Sequence, residues 1–294
     1  MISTQMVNRE ALPEAQNPLG LNGIEFIEYG TSRPQALGQA LELMGFRPIA
    51  RHRSREVVLY RQGSMNLIIN AEADDARVSA SAGDQPVISA VAFRVRDAKK
   101  AHVRCLELGA WDGPAHAQAM ELNIPSIHGP GGSRFYFVDR YDEFSVFDID
   151  FVLIPTVDSK PAALAGMSYF GLVQYIGLER SADWLAFYEQ LLGFKPIPDE
   201  QRFGILPKGK LMRSPCQQFL WQLVEPDPRV EQRDTRENLQ RIGIGVPDVP
   251  AAVALLKARG IEFVEAEQLH PDDRGALTQG ILGSLSFELV HKNA

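Results

Sequence analysis

An internal repeat limits the possible folds of this chain of 294 residues more than any other pattern in its sequence. The segment 44–49 (MGFRPI) recurs as 192–197 (LGFKPI) after 148 residues, and 95–98 (VRDA) recurs as 246–249 (VPDV) after 151 residues. Other pairs share the offset of 151 residues: Gly109 with Gly260, and 133–136 (SRFY) with 284–287 (SLSF). A nearly constant offset predicts two copies of one domain, each of ordinary size.

A second, shorter pattern is found inside each half. Residues 24–29 read as a half-buried strand, residues 37–44 carry apolar side chains at helical spacing, and Gly45 follows where a helix should end. Short apolar strands come next, and the order then starts again. The pattern predicts an α+β fold of four β-α-β-β-β modules, paired into two half-open barrels. The mouth of such a barrel is a cavity of the kind that holds a small ligand.

The domain boundaries follow from this pattern. We expect a flexible N-terminal tail at residues 1–18, a first domain at 19–154, a linker at 155–166 and a second domain at 167–294. Pro155 and Pro161 mark the linker.

Composition excludes several classes of partner. The formal net charge is −7 and the basic residues are scattered, which argues against binding to nucleic acid or to an anionic membrane surface. The sequence has neither a signal-peptide pattern nor an apolar run of the ~18 residues that a membrane helix needs. Cys105 and Cys216 lie one in each half, which gives no disulfide framework and no zinc spacing. We therefore predict a cytoplasmic protein, and the sequence leaves homo-oligomer formation open.

Long runs of sequence carry a family resemblance. In the first half they are 17–20 (NPLG), 23–28 (GIEFIE), 50–54 (ARHRS), 59–63 (LYRQG), 92–95 (AFRV), 106–111 (LELGAW) and 121–125 (ELNIP), and in the second half 187–194 (FYEQLLGF) and 214–216 (SPC). The chain resembles the 4-hydroxyphenylpyruvate dioxygenase family of the vicinal oxygen chelate superfamily, which also includes glyoxalases and bleomycin resistance proteins. The first half also resembles the dioxygenase-like region that is fused to some bacterial 3-dehydroshikimate dehydratases.

The resemblance implies an iron site in the second half. The family binds Fe(II) with two histidines and a carboxylate, leaving positions for O₂ and a bidentate 2-oxo acid. It places these ligands at Gly171, at Arg241 (in a QRI strand where the family has QHI) and at Glu288. One ligand of three remains, so we predict no metal and no bound cofactor.

Two further departures concern the surroundings of that site. The strand after SPC reads QLVE at 222–225, where the family has PLNE. The sequence ends at Ala294, and we expect the second domain to be truncated relative to the family, without its closing helix. Both departures weaken the expectation of dioxygenase activity.

A rebuilt metal site finds few ligands in the sequence. Gln174, Gln222 and Gln240 are weak candidates, because a neutral amide is a poor substitute for imidazole. His291 is expected on the opposite strand face from Glu288, and His270 in a solvated loop. The first-half counterparts of the ligand positions are Gly23, Ala90 and Phe137, none of which binds metal.

Several hypotheses about function remain at this point. The cavity candidates are Gln174, Gln222, Gln240, Arg241 and Glu288. We predict that Arg241 pairs with Glu288 through its guanidinium fork and stands where the metal was, with Arg241 extending out of the cavity mouth as the alternative. The chain would then be a pseudoenzyme that binds an aromatic or 2-oxo acid. The alternatives are a metal-free enzyme that uses Arg241 as electrophile and Glu288 as base, an active Fe(II) dioxygenase, and a structural partner subunit.

Overall fold

The computed structural model describes residues 16–72, 85–113, 122–142, 144–198, 200–201, 203–204, 209–227, 236–266 and 270–292. Most of the predicted tail therefore lies outside the described residues. Asn17, at the end of that segment, is buried. Its side chain donates to the Leu21 carbonyl and accepts from the Leu21 amide. The folded body thus begins before Leu19.

The first half forms an eight-stranded sheet. Its elements are β1 (Ile24–Gly30), α1 (Pro34–Leu43), β2 (Arg47–His52), β3 (Val57–Gln62), β4 (Met65–Asn70), β5 (Val87–Arg94), α2 (Ala98–Glu107), β6 (Ser126–His128), β7 (Arg134–Val138), α3 (Phe147–Asp150) and β8 (Phe151–Leu153). A 3₁₀ turn at Pro130–Gly132 precedes β7. The strand order is β6-β7-β5-β1-β4-β3-β2-β8.

The second half forms a seven-stranded sheet. Its elements are β9 (Ser168–Tyr175), α4 (Ser181–Phe187), β10 (Lys195–Pro196), β11 (Lys210–Arg213), β12 (Leu220–Val224), β13 (Asn238–Val246), α5 (Val249–Ala258), β14 (Gly275–Leu277) and β15 (Phe287–His291). A 3₁₀ turn (Leu164–Gly166) precedes β9, and a π-helical turn (Tyr188–Leu192) continues α4. The order is β10-β11-β12-β9-β13-β15-β14.

The two sheets have the same arrangement at their centres. In the first sheet, β1 and β5 are antiparallel, and each has a parallel outer neighbour, β4 and β7. In the second sheet, β9 and β13 are antiparallel, with β12 and β15 as their parallel neighbours. Each half also has an isolated β-bridge beside its last strands. Asp112 pairs with Ile127 in the second module, and Phe263 pairs with Thr278 in the fourth. The predicted α+β class is confirmed.

Local sequence explains where the helices begin and end. Asp97 accepts a hydrogen bond from the Lys100 amide and Asp248 from the Ala251 amide, so an aspartate caps the start of α2 and of α5. The four helical segments that follow the first strand of each module are each followed by a glycine with positive φ, which glycine adopts without strain: Gly45, Gly109, Gly193 and Gly260.

One apolar core joins the two halves. Phe93 and Phe135 of the first sheet pack with Tyr188, Phe219 and Trp221 of the second half. The Tyr188 and Trp221 ring centroids are 5.0 Å apart, and both side chains are fully buried. Because aromatic rings bury large apolar areas, this cluster fixes the position of one half against the other.

The sheet faces that point away from the shared core differ between the two halves. On the first sheet, a second apolar cluster fills this face, and Phe147 of α3 packs against Phe26 and Phe151. On the second sheet, the corresponding face carries polar residues and an open cleft. No helix among the described residues is long and apolar enough to span a membrane.

Candidate functional site

The cleft lies on the second sheet, on the face that points away from the shared core. Strands β9, β12, β13 and β15 form its floor. The space that a water-sized sphere can enter is about 30 Å³, and all of the empty space out to the open mouth is about 330 Å³. Its lining residues are mostly apolar: Phe170, Gly171, Leu172, Val173, Phe203, Leu211, Leu220, Gln222, Gly243, Glu288 and Val290. Apolar walls with a few polar groups are typical of small-molecule sites.

Strand alternation places two predicted residues in the cleft. Trp221 and Leu223 belong to the core, so Gln222 between them points to the other face of β12. Phe287 and Leu289 are core residues on β15, and Glu288 between them faces the cleft in the same way. The Glu288 residue is only 5% exposed, so its carboxylate is a polar group in a largely apolar surrounding.

Arg241 lies beside Glu288 at the distance of a long ion pair. The Arg241 Nε atom is 3.9 Å from Glu288 Oε2, and the arginine side chain is 10% exposed. That distance is beyond hydrogen-bond reach. The structure therefore brings the two predicted residues together without the direct forked pairing that the sequence led us to expect.

Tyr175 holds the Arg241 guanidinium in place. Arg241 Nη1 donates to the Tyr175 hydroxyl at 3.3 Å, and the guanidinium carbon lies 5.8 Å from the centre of the tyrosine ring. In the part of the chain that the structure describes, Arg241 Nε has no hydrogen-bond acceptor. A buried donor without an acceptor is costly, and the Glu288 Oε2 atom lies 3.9 Å from it.

Gly171 leaves no room for a side chain. It pairs with Leu220 of β12 and with Gly243 of β13. A Cβ atom at residue 171 would lie 2.3 Å from the Leu220 carbonyl oxygen, which is backbone and cannot move aside alone. A histidine at residue 171, which the resemblance leads one to expect, would therefore collide with the backbone of β12.

Gln174 is not a cleft residue. Its Oε1 atom accepts hydrogen bonds from the Tyr188 hydroxyl at 2.6 Å and from Trp221 Nε1 at 3.1 Å. The side chain is fully buried in the shared core, where burial raises the pKa of Tyr188 well above its usual value. The prediction that Gln174 faces the cavity was wrong, because residues 170–173 of β9 line the cleft, whereas the next residue, Gln174, points into the core.

A β-bulge explains the positions of Gln240 and Arg241. The register between β13 and β9 shifts between Leu239 and Arg241, so Gln240 is the extra residue. In a regular strand, Leu239 and Arg241 would face the same side. The bulge lets Leu239 enter the core while Arg241 points to the sheet face that carries Glu288. Gln240 is half-buried, and neither Gln240 nor Arg241 is among the described residues that line the cleft.

Phe203 and Gly204 complete the cleft, and sequence reasoning missed both. The Phe203 ring lies against Phe170, with centroids 5.7 Å apart. Gly204 has a φ of +65°, and a Cβ there would lie 2.4 Å from Glu288 Oε1. Gly204 was the only signal for this segment in the sequence, because the segment has no strand or helix periodicity. No pattern in the sequence indicated that the segment approaches β15.

Comparison with known proteins identifies the family. The family described as "Hydroxyphenylpyruvate dioxygenase, HPPD, N-terminal" matches residues 15–152, and the glyoxalase/bleomycin resistance protein/dioxygenase superfamily matches residues 176–280. The chain is 31% identical to the 4-hydroxyphenylpyruvate dioxygenase of Pseudomonas aeruginosa, over 97% of this chain and 92% of that protein. The chain belongs to the 4-hydroxyphenylpyruvate dioxygenase family.

Other relatives agree with this assignment to the 4-hydroxyphenylpyruvate dioxygenase family. A 4-hydroxyphenylpyruvate dioxygenase from a Pseudomonas species is 44% identical over 62% of this chain, and the match spans about half of that protein, 51%. The structure of a xylose isomerase-like TIM barrel/4-hydroxyphenylpyruvate dioxygenase fusion protein superposes with a TM-score of 0.74, over 94% of this chain and 50% of that one, at 22% identity. The predicted vicinal oxygen chelate fold is confirmed.

The cleft residues do not match the donor set of a 4-hydroxyphenylpyruvate dioxygenase. The described residues contain no group of three His, Cys, Asp or Glu side chains that could hold a metal ion. The cleft offers one carboxylate and one amide, and Arg241 adds a cation where an Fe(II) site has a second histidine. His270 and His291 are exposed. These residues therefore do not fit Fe(II).

Proposed function

We propose that this member of the 4-hydroxyphenylpyruvate dioxygenase family has lost the iron site and binds a small molecule without oxidative chemistry. The observation that carries the proposal is the position of Arg241, whose guanidinium lies 3.9 Å from the one remaining carboxylate. A fixed positive charge at that distance opposes the binding of a divalent cation. The blocked position at Gly171 supports the same proposal.

The ligand class follows from the cleft lining. Phe170, Phe203 and several aliphatic side chains provide apolar walls, Gln222 and Glu288 provide polar groups, and Arg241 lies beside Glu288. Such a surrounding favours a small aromatic molecule with one or two polar groups. Aromatic acids and 2-oxo acids are the first ligands to test.

A metal-free enzyme is the second candidate. Arg241 and Glu288 lie side by side at the cleft, and this pair could serve as an electrophile and a base.

A cytoplasmic location is also part of the proposal. The two free cysteines support it, because thiols stay reduced in the cytoplasm.

A ligand screen on iron-free protein tests the proposal. The melting temperature is measured in chelator with phenylpyruvate and 4-hydroxyphenylpyruvate, and again with added Fe(II). We expect at least one ligand to raise the melting temperature in chelator, because binding to the native state alone stabilises it. Stabilisation that appears only with Fe(II) would contradict the proposal.

A pair of glycine variants shows whether the ligand occupies the cleft. Gly243→Leu fills the cleft from its floor, and a Cβ there meets its nearest neighbours at 3.5 Å, an ordinary contact. Gly280→Leu is the matched control at an exposed glycine outside the cleft, where the nearest atom is 3.6 Å from a Cβ. The rise in melting temperature that the ligand causes should disappear in Gly243→Leu and persist in Gly280→Leu.

A further inference from the structure

The gap between Arg241 and Glu288 has the dimensions of a site for one oxygen atom. Arg241 Nε is a buried donor without an acceptor among the described residues, and it faces Glu288 Oε2 across 3.9 Å. Two hydrogen bonds of about 2.8 Å can meet on a single oxygen placed between these atoms. This inference rests on the proposed function, because it requires the cleft to bind its ligand without iron.

The two side chains impose opposite demands on that oxygen. The guanidinium only donates, so the oxygen must accept a hydrogen bond from Nε. An ionised carboxylate only accepts, so the same oxygen must donate a proton to Oε2. A hydroxyl group meets both demands at once. A carboxylate or a carbonyl oxygen meets only the first, because neither carries a proton.

Charge adds a second reason to favour a hydroxyl over an acid. A ligand carboxylate in this gap would place a negative charge within hydrogen-bond distance of the Glu288 carboxylate, and two carboxylates that share a site repel each other. Arg241 would attract such a ligand and Glu288 would oppose it. Glu288 also interacts with other parts of the protein. Each carboxylate oxygen has two lone pairs, so Oε2 can accept a further hydrogen bond beside such a contact.

The walls of the cleft define the rest of the ligand. Phe170 and Phe203 lie 5.7 Å apart, and Val173, Leu211 and Val290 continue the apolar lining. An apolar body would pack against these residues. We infer that the cleft takes a small neutral alcohol or phenol, whose hydroxyl bridges Arg241 and Glu288 and whose apolar body lies against Phe170 and Phe203.

Three ligands with one carbon framework test this inference on iron-free wild-type protein. Benzyl alcohol carries the hydroxyl, benzoate carries a carboxylate in its place, and toluene carries neither. Dissociation constants are measured by ligand-observed NMR titration in chelator. We expect benzyl alcohol to bind at least tenfold more tightly than either of the other two, and Gly243→Leu to abolish binding of all three.

The variant Glu288→Gln provides the second arm. An amide can donate to a carboxylate, so the ratio of benzoate affinity to benzyl alcohol affinity should rise at least tenfold. The unfolding midpoint of the variant is recorded alongside. If this variant does not fold, the wild-type comparison of the three ligands still decides the inference.

The outcomes separate the inference from the proposed function. Benzoate binding more tightly than benzyl alcohol, or toluene binding as tightly, overturns the inference and leaves an iron-free binding protein. Absence of binding by all three, while phenylpyruvate stabilises the iron-free protein, overturns the inference alone. Binding of any of these ligands only in the presence of Fe(II) overturns both.

Discussion

At the residue scale, the backbone of β12 lies against residue 171, the position to which the family resemblance assigns a histidine. Gly171 lies between β12 and β13, and a Cβ there would lie 2.3 Å from the Leu220 carbonyl oxygen. Any side chain at this position requires β9 and β12 to separate. A histidine at residue 171 would therefore not have the geometry of a metal ligand.

The double variant Gly171→His/Arg241→His tests this account at the residue scale. It supplies both missing imidazoles and keeps Glu288. We expect it to bind no stoichiometric Fe(II) and to lose about 2 kcal/mol or more of unfolding free energy, the usual scale of overpacking. Metal analysis after anaerobic loading and urea unfolding check the two expectations.

The variant Arg241→His is the matched control for that experiment. It leaves Gly171 in place, so its loss of stability should be smaller than that of the double variant. Stoichiometric iron in the double variant with wild-type stability would show that β9 and β12 accommodate the side chain easily.

The sequence predicted some of these residues and not others for a physical reason. Glu288 and Gln222 follow from simple alternation, because their strands are regular and both neighbours of each are core residues. Arg241 follows a bulge at Gln240 of β13, and a bulge changes the phase of a strand without a sequence signature. Gln174 lies on β9 three residues after Gly171, so simple alternation places the two on opposite faces. Phe203 and Gly204 approach from a segment without periodicity.

At the scale of elements, Glu225 at the end of β12 caps the start of α4. Glu225 follows β12, and its Oε1 atom accepts hydrogen bonds from the Ser181 amide at 3.0 Å and from the Ser181 hydroxyl. The hydroxyl hydrogen bond is the main reason why the pKa of Glu225 lies below its usual value of 4.5. A carboxylate at a helix start is also favoured by the helix dipole.

The variant Glu225→Gln should lower the unfolding free energy by about 0.5–1 kcal/mol at pH 7, the usual scale of a lost cap. Because the folded pKa is depressed, the carboxylate contributes stability above its usual value of 4.5 and loses it as the pH falls through the folded value. The difference between wild type and variant should therefore shrink as the pH falls below 4.5 and the carboxylate takes up a proton.

Urea unfolding at pH 7 and at pH 3 checks the effect of the cap. Glu189→Gln, at an exposed carboxylate on the turn that continues α4, serves as the control. It should change stability little at either pH. A Glu225→Gln effect that persists unchanged at pH 3 would show that the charge of the carboxylate is not involved.

Helices were more predictable from the sequence than strands. The glycines that follow α1 and α2, and their repeats after the second-half helices, marked helix ends correctly, because only a residue that tolerates positive φ fits there. The addition of β8 to the edge of the first sheet was not predictable. It depends on the chain returning to β2 after α3, a tertiary contact that the local pattern does not encode.

At the scale of the whole molecule, one arginine ties the second half to a helix of the first. Arg259 follows α5, and its Nε and Nη2 atoms donate to the Leu43 and Glu42 carbonyls, both at 2.7 Å. These carbonyls lie at the end of α1, where backbone acceptors lack partners within the helix. A cation at a helix C-terminus is also electrostatically favourable.

The variant Arg259→Ala should lower the unfolding free energy by about 1–2 kcal/mol, because two charge-assisted hydrogen bonds between the halves are lost. Arg259→Lys keeps the charge and loses the two-pronged geometry, so it should recover less than half of the effect. Urea unfolding followed by tryptophan fluorescence reports the shared core through Trp221. Equal stability of Arg259→Ala and wild type would show that this contact does not hold the halves together.

The repeat in the sequence could predict two related halves, but not their difference. In the first half, Phe147 and its neighbours cover the outer sheet face, whereas in the second half the same face is an open cleft. The difference arises from α3, which belongs to a stretch outside the repeated segments. A site in only one half is therefore a property of packing that the repeat by itself does not reveal.

Iron loading followed by an oxygen-uptake assay tests the proposed loss of the iron site. The purified protein is loaded anaerobically with Fe(II), freed of excess metal and analysed for bound iron, and oxygen uptake is then recorded with 4-hydroxyphenylpyruvate. We expect far less than one iron per chain and oxygen uptake at the background rate. One iron per chain together with oxygen consumption that depends on 4-hydroxyphenylpyruvate would contradict the claim.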